Sequence, residues 1–86
     1  MIHNLKFALE MHRRFRTSEM LVSGDVFLEV LNRARHNDGW RRILLNCHYD
    51  SPRYRFIHQA EWQGVRFIHL SNEELQTAEL CSAEPL

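Results

Sequence analysis

Residues 55–69 read RFIHQAEWQGVRFIH, so Arg-Phe-Ile-His recurs after eleven positions with Gln63-Gly64 between the copies. Strict alternation on both sides of a glycine-containing dipeptide is the signature of a β-hairpin. A two-residue turn at Gln63-Gly64 sets Trp62 opposite Val65, Ala60 opposite Phe67 and His58 opposite His69. On the other side it sets Glu61 opposite Arg66 and Ile57 opposite Leu70. A three-residue loop with a glycine bulge would slip the pairing by one, set His58 opposite Ile68 and separate the histidines onto two faces. The two-residue turn gathers Phe56, Ala60, Trp62, Val65 and Phe67 on one face, and is the register expected.

The same period of two runs upstream through RRILLNCHY (41–49), where Ile43, Leu45, Cys47 and Tyr49 alternate with Arg42, Leu44, Asn46 and His48. DSPR (50–53) reads as a turn, since Pro52 cannot donate to a ladder. Regular pairing from that turn would set Tyr49 opposite Tyr54, Cys47 opposite Phe56 and Leu45 opposite His58. One row across the apolar face then reads Leu45, His58, His69, with Cys47 a diagonal neighbour of His58. The opposite face would carry Leu44, Ile57, Ile68 and Leu70 among Arg42, Arg55 and Arg66.

Before the strands the period is helical. Residues 3–16 predict a helix with Leu5, Ala8, Leu9 and Phe15 as its apolar stripe. Residues 25–35 predict a second, because Phe27, Val30, Leu31 and Ala34 share one face, Ser23 or Asp25 can cap its start, and Gly39 can end it. The intervening FRTSEMLVSG is compatible with a continuing helix, a short strand or a loop. Ser71 followed by Glu74 fits a capping box opening a short helix to about Cys81, with 82–86 as a frayed tail. The expected fold is one α+β domain over 1–86. Two N-terminal helices pack on one face of a three-stranded antiparallel meander, and a short C-terminal helix follows (α-α-β-β-β-α).

Eighty-six residues with zero formal net charge exclude a second domain and a global field that would steer the chain onto nucleic acid or an anionic membrane. Charge is nevertheless uneven: residues 1–43 hold eight of the eleven cations against five acids, and ten of the eleven are arginine. Two cysteines, Cys47 and Cys81, are too few for a disulfide scaffold. No apolar run approaches a membrane span and the N-terminus lacks a secretory signal pattern, so a cytoplasmic location is expected.

Imidazole and thiolate both ligate zinc, so His58, His69 and Cys47 are the candidate metal ligands. No CxxC or HxxxH spacing supports them, and no metal or other cofactor is expected. A Cys-His nucleophile lacks an orienting acid on the same face. Among Phe, Trp and Val, two neutral core histidines bonded to backbone or to each other are the simpler expectation, with protonation in mild acid costing stability.

Arg13, Arg14 and Arg16 around Phe15, and Arg41 and Arg42 after Trp40, are candidate nucleic-acid contacts. Two helices followed by an antiparallel sheet bearing Arg and His resemble small bacterial ribonuclease toxins in element order, and the resemblance implies RNA binding or cleavage. The stronger expectation is a non-enzymatic protein-interaction or regulatory module, binding a protein partner or a second copy. Its interface would be the exposed sheet face with Leu44, Arg55, Ile57, Arg66, Ile68 and Leu70.

Overall fold

The computed structural model describes residues 1–35 and 40–75, and the side chains of all of these except 34, 35, 40 and 41. Its elements are α1 (Leu5–Phe15), β1 (Glu19–Leu21), α2 (Gly24–Arg35), β2 (Trp40–His48), β3 (Phe56–Trp62) and β4 (Val65–Ser71). The strands form one four-stranded sheet in the order β1-β4-β3-β2. β1 runs parallel to β4, and the other two pairings are antiparallel.

The α+β class stands, but the three-stranded meander is corrected to a four-stranded mixed sheet. The added strand comes from the stretch between the helices that the sequence left open. Met20 is its one buried side chain, flanked by exposed Glu19 and Leu21. Three residues with a single buried position carry no measurable period. Pairing to β4 holds them in place, with Glu19 opposite Arg66, Met20 opposite Phe67 and Leu21 opposite Ile68.

α1 begins at Asn4, whose extended backbone lets its side chain accept from the Phe7 amide at 3.0 Å. Arg16, left-handed at φ 56°, closes the helix by donating its amide to the His12 carbonyl. Leu5 and Ala8 are buried, with Leu9 and Met11 packed against the core. Phe15 departs from the expected stripe and is 67% exposed. The last turn is tied down instead by His12, whose Nδ1–H donates to the Thr17 carbonyl at 2.8 Å. α2 is capped by Ser23, whose Oγ accepts from the Val26 amide at 3.3 Å. Val26, Phe27, Val30 and Leu31 of α2 are buried against Ile43, Ala60, Trp62, Val65 and Phe67 of the sheet. Each valine, leucine, isoleucine and phenylalanine among them contributes about 1.5–3 kcal/mol by leaving water.

The β3–β4 hairpin has the expected register throughout, from Trp62 opposite Val65 to Phe56 opposite Ser71. Its turn residues Gln63 (φ 52°) and Gly64 (φ 81°) are both left-handed, the conformation that matches strand twist in a two-residue turn. The β2–β3 ladder keeps the expected register from Arg42 opposite Glu61 to Leu44 opposite Gln59, and departs from it on either side. Leu44 pairs with Gln59 but Cys47 with Ile57, so one extra residue is accommodated at a bulge where Asn46 is left-handed at φ 56°. A second irregularity lies between Trp40 and Arg42.

The capping box at Ser71 is also corrected. Ser71 ends β4, its Oγ accepts from the Glu73 amide at 3.0 Å, and residues 72–75 are not helical. A serine hydroxyl serves a local turn as readily as a helix start. The rest of that expected helix, and the tail at 82–86, lie outside the described residues.

Candidate functional site

Both helices cover one face of the sheet, and among the described residues no element covers the other. Alternation assigns the residues of this open face, and the ladder registers assemble them into rows. The first row crosses all four strands as Glu19, Arg66, Glu61, Arg42, an alternation of negative and positive charge. The second reads Leu21, Ile68, Gln59, Leu44, and the third Leu70, Ile57, Cys47. Arg66 Nη1 lies 3.1 Å from Glu19 Oε2 at one end of the charged row. Arg42, Leu44, Gln59, Glu61 and Arg66 line a shallow depression of about 240 Å³ in the face.

Five of the six expected interface residues therefore share this face: Leu44, Ile57, Arg66, Ile68 and Leu70. Arg55 precedes β3, and its guanidinium sits over the Phe56 ring with Cζ 5.7 Å from the centroid. Glu19 and Leu21 join the face through β1. Their positions as partners of Arg66 and Ile68 could not be read from sequence, because the strand itself was not legible.

Cys47 is also on this face, opposite Ile57, and so on the far side of the sheet from His58 and His69. The bulge at Asn46 moves it there, which separates the candidate zinc ligands His58, His69 and Cys47. No group of three or more His, Cys, Asp or Glu residues among those described could hold a metal ion.

The two histidines meet under the helices. Their rings stack at 6.0 Å between centroids and 22°, with Phe27 of α2 6.1 Å from each and Phe56 6.4 Å from His58. They are bonded to backbone, not to each other. His58 Nδ1 accepts the backbone amide of Asn46 at 2.9 Å, so the ring is neutral with its hydrogen on Nε2. Nε2 is buried without a hydrogen-bond partner among the described residues. His69 Nδ1–H donates to the Val22 carbonyl at 3.0 Å. Gly24 leaves room for that ring, since a Cβ there would lie 3.2 Å from His69 Nε2.

His58 is 0% exposed. Burial, with the nearby His69 adding to it, holds its pKa below the usual histidine value; the Glu73 backbone acts weakly in the other direction. His69 beside it is half-buried.

Of the expected nucleic-acid contacts, Arg13 and Arg14 both pair with Glu10, whose carboxyl they hold below the ordinary range, Arg13 by its hydrogen bond first. Arg16 is exposed at the end of α1, and Arg42 stands on the open face. The side chain of Arg41 lies outside the described residues. Among the described residues no helix is long and apolar enough to cross a membrane.

Scanned against protein-family models, curated proteins and solved structures, the chain returns no match.

Proposed function

We propose that the chain is a non-enzymatic interaction module whose open sheet face binds a second copy of itself, face to face. The observation that carries this reading is the alternating row Glu19, Arg66, Glu61, Arg42 beside two largely apolar rows. Consider a two-fold axis parallel to the strands, passing between β4 and β3. It reverses the order of the row, so Glu19 meets Arg42 of the second copy and Arg66 meets its Glu61. Every charge then faces its opposite in an aligned two-sheet sandwich. Leu21, Leu44, Ile57, Ile68 and Leu70 supply the apolar contact, and the charges set orientation more than affinity.

Association through the strand edges is less favoured by the same structure. β2 carries an irregularity near each end, and bulges blunt an edge against pairing. Beyond β1, Ile2 bridges to Val22 and occupies part of the other edge.

Sedimentation over a range of protein concentrations tests the reading. The wild type is expected to dimerise. Ile68→Lys, at the middle of the face, is expected to abolish dimerisation, while Leu28→Lys on the exposed side of α2 leaves it intact. A variant with all four charges of the row reversed should pair with itself but not with the wild type. A wild type that stays monomeric at every concentration would overturn the proposal. Binding to single-stranded RNA that weakens steeply with salt, and is lost in Arg13→Ala, would instead favour the nucleic-acid alternative.

A further inference from the structure

Residues 72–75 follow β4 and turn back across the helix-covered side of β2, where Leu75 packs against the core. Asn46 holds this strap by both of its side-chain groups. Its Oδ1 accepts the Leu75 amide at 2.7 Å, and its Nδ2 donates to the Leu75 carbonyl at 3.1 Å. The same residue's backbone amide donates to His58 Nδ1 at 2.9 Å. One left-handed residue therefore connects a buried imidazole to the strap through three hydrogen bonds.

We propose that His58 and Asn46 form an acid-operated latch: protonation of His58 at Nδ1 displaces Asn46 and releases residues 72–75 from the sheet. A proton on Nδ1 turns an acceptor into a donor, and two N–H groups pointed at each other cannot bond. Asn46 must then move its backbone, and a side chain that bonds Leu75 at both ends cannot follow without breaking those bonds. The site has little to resist this locally, because a bulge residue has no regular ladder partner to return it.

The surroundings favour the uncharged ring until the strap opens. β4 presents His69, a second titratable ring stacked on the first. α2 presents Phe27, which carries no charge, and β2 presents the amide of Asn46. The strap supplies the one opposing influence, the Glu73 backbone, which favours the charged ring but is outweighed by burial and His69, while the Glu73 and Glu74 side chains are exposed. His48, on the bulged side of β2, meets Phe56 edge-on and not His58. Among the described residues no carboxylate is paired with His58, so its charge is better satisfied by water after opening than by protein before it.

Amide hydrogen exchange followed by NMR between about pH 8 and pH 5, corrected for the intrinsic exchange rate, tests the latch. The Asn46 and Leu75 amides should lose protection together, by about tenfold or more, in step with titration of the His58 ring. The Ala60 and Phe67 amides of the β3–β4 ladder should stay protected over the same range. Asn46→Gly keeps the left-handed backbone and removes the clamp, so its Leu75 amide should be unprotected even at pH 8 while the ladder persists. His58→Gln, which can accept at the same place but does not titrate, should keep the strap closed in acid. The proposal is overturned if Leu75 stays protected while His58 titrates, or if His58 does not titrate in this range. Simultaneous loss of protection in strap and ladder, or an unchanged Leu75 in Asn46→Gly, would also overturn it.

Discussion

β3 is paired on both sides, and its two ladders behave differently. Toward β4 seven residues pair without interruption, from Phe56 to Trp62, and every side chain lands on the face that alternation assigns. Toward β2 the ladder is irregular near each end, and past Asn46 every side chain changes sides. The regular ladder is fixed by a turn of two left-handed residues and by large apolar groups at successive positions. The bulged one is fixed by a polar residue that bonds the histidine on one side and the strap on the other. Apolar alternation enforces register strongly, and hydrogen-bonding demand at a single buried ring is enough to break it locally.

This contrast can be tested by substitution. Phe67→Ala, in the regular ladder and fully buried, should cost about 3–5 kcal/mol in denaturant unfolding. His48→Ala, exposed in the bulged ladder, should stay within about 0.5 kcal/mol. Asn46→Ala should cost roughly 2–4 kcal/mol, combining a left-handed position that alanine tolerates poorly with two lost hydrogen bonds. Asn46→Gly removes the conformational part, so the difference between the two variants measures the backbone contribution at the bulge.

Acid should act on the bulged side first. His58 is neutral when folded and its pKa lies below the ordinary value of about 6.5, so between those two values the unfolded chain binds more protons. Stability is thus fully present above about pH 6.5 and declines as pH falls toward the folded-state pKa. Unfolding free energies at a series of pH values should show that slope in the wild type and a flatter profile in His58→Gln. The smallest effect is expected at the end of the charged row. Arg66→Ala removes an exposed pair with Glu19 and should cost about 0–1 kcal/mol to the monomer, less at high salt.

What could be read from the sequence follows the same division. The β3–β4 hairpin, the meeting of His58 with His69 and the face shared by Ile57, Ile68 and Leu70 were all legible, because repeated alternation and a glycine turn over-determine them. Cys47 was assigned to the wrong face because the local pattern NCHY is equally compatible with a regular strand and with a bulge at Asn46. Deciding between them required knowing that His58 Nδ1 needed a donor and that Leu75 would lie within reach. β1 was illegible for a different reason: its position is set by its partner strand and not by its own three residues.

That short strand alters more than the sheet's width. Without it the charged row would read Arg66, Glu61, Arg42, a sequence that is the same in both directions. A copy turned about an axis along the strands would then set arginine against arginine and glutamate against glutamate. Glu19 makes the number of charges even, and an alternating row of even length is complementary to its own reversal. The sign of the interaction between two such faces is therefore a matter of parity, decided by a strand that buries one side chain.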